Sequence, residues 1–314
     1  MNAVQRAGLP GGRWHFQHGP IDCVIGAEGE ALAVAHALDV TWVRFQGVLV
    51  ELVAELPALR ANLGAGEGKD VAGPIARSMV AACRPYADQG LFVTAMAAVA
   101  GSVAQDLIGH FVRPGVRRAY VNNGGDIALH LAAGEAFDIG LVIDPGHAGC
   151  GVDGQFRIDA ASGVRGVATS GWRGRSLSRG IADSVTVLAA TAAQADAAAT
   201  MIANAVNVDD VRIVRAPADS VRDASDLGEL LVTLDVPALP ASLVAQALAA
   251  GAAFADREIA AGRVLAAALC LQGQVRRCAA LHPAGHAPVS PILRGARTNP
   301  AAGPGLYNMA QELT

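Results

Sequence analysis

Three segments carry residue types that packing alone does not require. Asn122-Asn123-Gly124-Gly125-Asp126 sits between two apolar runs. Paired glycines let a backbone come close to a ligand, and Asn and Asp add side-chain partners beside free N–H groups. The same residues also suit a hairpin turn. Ala168-Thr169-Ser170-Gly171-Trp172-Arg173-Gly174-Arg175-Ser176-Leu177-Ser178-Arg179-Gly180 packs three arginines, three glycines and four hydroxyls into thirteen positions. Arginine forks and backbone N–H groups bind phosphate oxygens, and Trp172 offers a face to a planar ring. The competing reading is a solvated surface loop. In Gln194-Ala195-Asp196-Ala197-Ala198-Ala199-Thr200, Asp196 and Thr200 share one helix face, where carboxylate and hydroxyl both reach a hard cation. The competing reading is an acid favoured by the dipole of its own helix.

Elements that must position these segments follow from periodicity. Residues 13–27 read as strand, turn and strand about His18-Gly19-Pro20. Apolar positions recur at helical spacing from Glu28 to Arg60, as one helix or two broken near Thr41, and stop at the glycine-rich run 62–69. Pro74 opens a helix that Pro85 ends near Arg84, and Phe92 to Val112 reads as a buried helix of small residues. Short apolar runs at 118–121, 127–131, 137–143, 155–158, 166–169 and 184–189 read as an antiparallel sheet. A helix over 194–205 with Asp196 in its first turn comes next. A strand near 211–214, a polar loop, a helix over 240–261, a strand pair and a Pro/Gly tail complete the chain. Strands and helices that do not strictly alternate predict an α+β fold, with helices on one face of an antiparallel sheet. No linker divides the chain, so residues 1–314 read as a single domain, with two closely packed lobes also compatible.

Composition narrows the class. The chain has 314 residues, 52% hydrophobic and 17% charged, with net charge −4. With no basic stripe and 4% aromatics it lacks a nucleic-acid groove. No apolar stretch reads as a membrane span or leader, so a cytoplasmic protein is expected. The five cysteines form no CxxC pair and read as buried small hydrophobes. Of 24 basic residues only Lys69 is lysine, so a lysine-dependent mechanism has one candidate.

In combination the segments resemble the ApbE superfamily, flavin transferases that attach FMN from FAD to a protein threonine. Asn123-Gly124-Gly125-Asp126-Ile127 resembles its GG(D/N)I turn, Ala168-Thr169-Ser170-Gly171 its TSG loop, and Ser184-Val185-Thr186-Val187 through Asp196 to Thr200 its SVTV strand and ADAxxT helix. The opening HFQHGPID and the run GWRGRSLSRGIADSVTV resemble an uncharacterised cytoplasmic branch of that superfamily. The resemblance implies an ApbE-like, T-fold-related sheet. It also implies Mg²⁺ held by Asp196 and Thr200, and FAD or FMN held by Asn123, Gly124, Gly125, Asp126, Thr169, Ser170, Gly171, Arg173 and Arg175. The implied partners are a flavin nucleotide and a protein acceptor or redox partner, with a homo-oligomer compatible.

Two departures bear on the reaction. The transferases' lysine, in a KGYAVD-like helix, aligns with Gly101, and of that motif only Asp106 remains. Their histidine, in an HIxDPxTG segment, has no counterpart in 172–183, and Asp144-Pro145-Gly146-His147 precedes the TSG loop instead. Three outcomes follow: Mg²⁺-dependent FMN transfer to a protein Thr or Ser, a flavin-binding redox component beside an iron–sulfur partner, or a non-catalytic assembly protein. The resemblance assigns no catalytic residue.

Overall fold

A computed structural model of the chain describes residues 3–65, 71–141 and 154–279. Lys69, the Asp144–His147 segment, Cys150 and the Pro/Gly tail lie outside the described residues. The chain begins with β1 (Gln5–Leu9), β2 (Arg13–His18), β3 (Ile21–Gly29), α1 (Ala31–Ala54), the single turn α2 (Leu56–Leu59), α3 (Pro74–Ala87) and α4 (Val99–Ile108). Next come β4 (Val116–Asn123), β5 (Asp126–Leu131), β6 (Ala136–Leu141), β7 (Gly154–Asp159), β8 (Gly166–Ser170), β9 (Ser184–Ala189) and α5 (Ala192–Ala205). The last third holds β10 (Val214–Pro217), the short α6 (Ala218–Val221), β11 (Leu231–Asp235), α7 (Ala241–Ala260), β12 (Ala266–Leu271) and β13 (Gln274–Ala279).

The fold is α+β. Nine strands form one sheet in the order β1-β2-β3-β4-β5-β8-β9-β12-β13, with every neighbouring pair antiparallel. The join at the middle is narrow: β5 meets β8 only at Ile127↔Val167 and Ala128↔Gly166. On one face, α1, α3 and α4 pack Phe45, Met79 and Leu107 onto Phe16, Ile25 and Val121 of the first strands. On the same face beyond the join, α5 and α7 pack Ile202 and Leu248 onto Val185, Val187 and Leu269. The opposite face is covered near its centre by the β6–β7 hairpin, whose Phe137, Ile139 and Ile158 meet Leu129, Val167 and Leu188. Two helical groups thus meet above one seam, where α4 crosses α5. No helix among the described residues is long and apolar enough to cross a membrane.

Several sequence expectations change, each for a local reason. Thr41 is no break point: it is buried inside α1, and its hydroxyl donates to the Ala37 carbonyl at 2.7 Å, which the helix tolerates. The break falls at Glu55, before Pro57, and the Glu55 carboxylate accepts the N–H groups of Ala72 and Gly73 at 2.7 Å each ahead of α3. Pro85 does not end α3, which runs to Ala87; so near the C-terminus proline forfeits a single ladder bond. The 92–112 segment is a 3₁₀ turn (Ala95–Ala98), then α4, then a second 3₁₀ turn (Gly109–Phe111). The strand expected near 211–214 begins only at Val214, because Asp210 and Arg212 form a turn closed by their own ion pair at 2.7 Å.

Candidate functional site at the seam

Strand register decides which side chains look toward the helices, since residues paired across a sheet share a face and neighbours along a strand alternate. Cys23 pairs with Asn123, and Asn123 with Asp126. Cys23 belongs to the helix-side core, so Asn123 and Asp126 point beneath α4 and α5. Along β8, Ala168 and Ser170 share that face while Thr169 turns away; the Thr169 hydroxyl lies 2.9 Å from that of Thr186. Thr169 therefore contributes to the site through its main chain, whose N–H bonds the Asp126 carboxylate.

Asp196 reaches the same recess from above. α5 starts at Ala192, two residues earlier than its periodicity suggests, with the Thr191 hydroxyl accepting the Gln194 N–H at 3.2 Å. Asp196 therefore lies in the second turn, and the dipole of its own helix does not account for it. Its carboxylate faces the N-terminus of α4 instead. The Gly101 N–H donates to Oδ2 at 2.8 Å and the Ala100 N–H adds to it, both among the orphan donors of a first helical turn. Gly101 is glycine because the helices touch there: a Cβ would collide with the Ala192 carbonyl and lie 2.8 Å from the Asp196 Cβ.

Asp126 and Asp196 thus come close enough to repel. Burial pushes Asp126 up to about 7, against the pull of the Thr169 N–H and the Arg175 guanidinium. Burial first, and then the Asp126 charge, hold Asp196 well above the usual carboxylate range despite the two α4 amides. Both residues are only partly exposed. Thr200 follows one turn beyond Asp196 with similar exposure. Two crowded carboxylates, with the Thr200 hydroxyl one turn along the same helix, offer oxygens of the kind that suits Mg²⁺, which keeps several of its waters. Among the described residues there is no group of three His, Cys, Asp or Glu side chains that could hold a metal. A cation here would draw on the pair, the hydroxyl, backbone oxygens and a ligand's own oxygens.

The Asn-Asn-Gly-Gly-Asp segment is a two-residue hairpin turn, and it is also part of the recess. Gly124 and Gly125 have φ of 66° and 114°, and the Asn122 Oδ1 accepts the Gly125 N–H at 2.8 Å. The Arg175 guanidinium lies directly over Gly124, where any side chain would strike it. Asn123 works as a brace: its Oδ1 accepts the Asp22 N–H at 3.3 Å, and its Nδ2 donates to the Ala100 carbonyl at 3.2 Å.

The arginine-rich loop divides in two. Gly171 packs on the Ala182–Asp183 backbone, and Asp183, 8% exposed, gathers three donors. These are the Trp172 indole N–H and the Arg173 Nε, each at 3.2 Å, and the Gln272 amide at 2.5 Å. Arg173, whose guanidinium also stacks on Trp172 at 4.5 Å, is thereby drawn into an ion pair, while Arg175 stays at the turn. Trp172 packs against the α5–α7 core and is no solvated loop residue. Asp183→Ala leaves all three donors without their acceptor, with an expected loss of about 2–3 kcal/mol. Fluorine NMR of fluorotryptophan-labelled protein reads it directly: one of three tryptophan resonances should shift and broaden, and an unchanged spectrum would remove Asp183 from this role.

Of the site residues expected from sequence, Asn123, Gly124, Gly125, Asp126, the Thr169 main chain, Arg175 and Asp196 collect around one end of the seam; Ser170 shares the helix-side face of β8, and Thr200 lies one turn beyond Asp196 on α5. Gly171 and Arg173 belong to the adjoining Asp183 cluster. Sequence reasoning missed Asp183 itself and a strap from the polar loop. In that strap, the Thr94 hydroxyl donates to the Asp226 carboxylate, and Arg222 donates to the Arg175 carbonyl at 2.7 Å. Asp106, all that remains of the family's helix motif, pairs with Arg44 of α1 at 2.7 Å and ties two helices together. Cys23, Cys83, Cys270 and Cys278 are buried, as their scatter suggested.

Residues 6–277 match a family model described as AbpE bacteria. A UPF0280 protein of Methanothermobacter thermautotrophicus is 37% identical over 155 residues, 45% of this chain and 53% of its own length. A UPF0280 protein of Methanopyrus kandleri is 40% identical over 137 residues, 43% of this chain and 51% of its own. The chain spans about half the length of the curated relatives it matches. The family match, by contrast, runs through the hairpin turn, the arginine-rich loop and both helices of the carboxylate recess: the chain belongs to the AbpE bacteria family.

Proposed function

We propose that this chain is an ApbE-like flavin-nucleotide-binding protein whose seam recess takes the nucleotide's phosphates together with Mg²⁺. The observation that carries this reading is the enclosed Asp126–Asp196 pair, faced by the α4 amides and by Arg175 over the glycine turn. Two carboxylates crowded in this way favour a divalent cation. Asp196 and Thr200 would hold Mg²⁺, which when bound neutralises phosphate charge and acts as a Lewis acid on a pyrophosphate. Gly125, with open space over it, leaves room for phosphate oxygens beside the Arg175 fork that lies over Gly124. The reaction such a site supports is FMN transfer: a protein Thr or Ser hydroxyl attacks the FMN phosphorus of FAD, the pyrophosphate bond breaks, and AMP leaves.

A second reading, a flavin-binding redox component or assembly protein without transferase chemistry, is favoured by Gly101. At that position the contact with α5 leaves no room for the family lysine. Incubation with FAD and Mg²⁺ followed by gel filtration separates the outcomes. Flavin should co-elute with the protein, and should be lost with chelator or in Thr200→Val. AMP release with a flavin-labelled acceptor would support transfer, and retained flavin without AMP the second reading. A colourless protein would reject both flavin-binding readings and leave the assembly protein.

A further inference from the structure

Two turns further along α5 from Asp196, about 12 Å by helical rise, a separate cavity of about 580 Å³ opens. Its volume is that of a small-molecule site. Met201 and Asn204 of α5, Phe92, Phe254 of α7, Arg179 and Arg215 line it. The apolar wall is rigid: Met201 and Phe254 are each 7% exposed, and the Phe254 ring is stacked with Tyr86 at 6.3 Å between centroids. The polar end is held in advance of any ligand. Asn204 Oδ1 accepts the Arg179 backbone N–H at 2.9 Å, and the Asn207 Nδ2 donates to the Arg179 carbonyl at 3.4 Å. Arg215 donates one guanidinium N–H to Asn207 Oδ1 at 2.7 Å and has others to spare. Among the described residues neither Arg179 nor Arg215 forms an ion pair; Glu229, at the same cavity, is exposed and bridges to neither. Two guanidinium groups that form no ion pair among the described residues, Arg215 held by Asn207 and Arg179 held through its main chain, stand against a wall of aromatic rings and a thioether and make an anion seat with an apolar back.

We infer that this cavity is a second binding site, for a flat aromatic molecule bearing one terminal phosphate or carboxylate, which engages Arg179 and Arg215 without a metal. The inference goes beyond the Mg²⁺ recess and does not depend on it. The test is fluorescence titration of the full chain with 1-naphthyl phosphate in the presence of chelator. Saturable binding is expected, at least ten-fold tighter than that of 1-naphthol, and inorganic phosphate should compete only at far higher concentration. A matching naphthyl carboxylate decides which anion is preferred. Arg179→Gln, whose side chain makes no hydrogen bond within the described residues, should weaken binding at least ten-fold and keep the native circular dichroism. Arg215→Gln should do the same, and Asp196→Asn should leave affinity unchanged. Absent binding, equal affinity for naphthol, or indifference to Arg179→Gln would overturn the inference. Loss of flavin binding at the seam with naphthyl phosphate binding intact would instead count only against the Mg²⁺ reading.

Discussion

Gly101→Lys is expected to destabilise the protein by about 3 kcal/mol or more, the upper end of what overpacking a tight contact costs. The position joins two demands. Its Cα touches the Ala192 main chain, so any Cβ forces α4 and α5 apart, and backbone, unlike a side-chain tip, does not swing aside. Its N–H also serves the Asp196 carboxylate at 2.8 Å, so separating the helices strips that carboxylate of a donor. Gly101→Ala should show most of the effect, because the clash begins at Cβ and not at the ammonium. Urea unfolding measures the loss, and a Gly101→Lys protein within 1 kcal/mol of the parent would sink the account. The residue that resemblance marks as a missing catalytic group is, in this chain, a packing contact. Chemistry that relies on a lysine from this helix position is closed to this fold as it stands.

The same contact marks the limit of what spacing reveals. Periodicity reports which face of an element is apolar, and that much was legible. Ser184–Ala189 reads as a strand from its unbroken apolar run, the turn at His18-Gly19-Pro20 from its residue types, and the hairpin from Asn123-Gly124-Gly125-Asp126. Spacing does not report which element lies against that face. Nothing local says that β5 and β8 meet over two residue pairs, or that α4 starts against Asp196; both depend on partners far along the chain. Arg173 and Arg175 look alike in sequence. Only the fold brings Asp183 and the distant Gln272 amide to one and a glycine turn to the other. Asp196 is the instructive case: its own helix offered an adequate reason for an acid, and the start of α5 two residues earlier removed that reason.

The largest effect of solution conditions is expected at the carboxylate pair. In the folded protein burial lifts Asp126 to about 7, while in the unfolded chain it returns to about 3.9. The folded state therefore holds its proton more tightly. The associated stability is fully present below about pH 4 and is lost as pH rises through about 7. Asp196 is shifted in the same direction and adds to the trend. Metal-free protein should accordingly melt at a lower temperature at pH 8 than at pH 5. Asp126→Asn keeps an acceptor for the Thr169 N–H and removes the charge, so its melting temperature should fall less over that range and exceed the parent's at pH 8. Carboxylates outside the pair titrate alike in both proteins and cancel in the difference, while Asp196, relieved of the Asp126 charge in the variant, is held up less and adds to it. Mg²⁺ acts in the opposite sense, because it binds the ionised pair. At a concentration one hundred times its dissociation constant it should add about 2.7 kcal/mol to the parent at pH 8. It should add little at pH 5, where protons compete, and little to Asp126→Asn at either pH. Melting curves of the two proteins at both pH values, with Mg²⁺ and with chelator, give the eight midpoints required. If parent and variant midpoints run parallel from pH 5 to pH 8, and Mg²⁺ raises both equally, the carboxylates are not crowded and the recess is not a cation site. If the pH difference appears without the Mg²⁺ response, the pair is real but its protons, not a metal, are what the fold provides for.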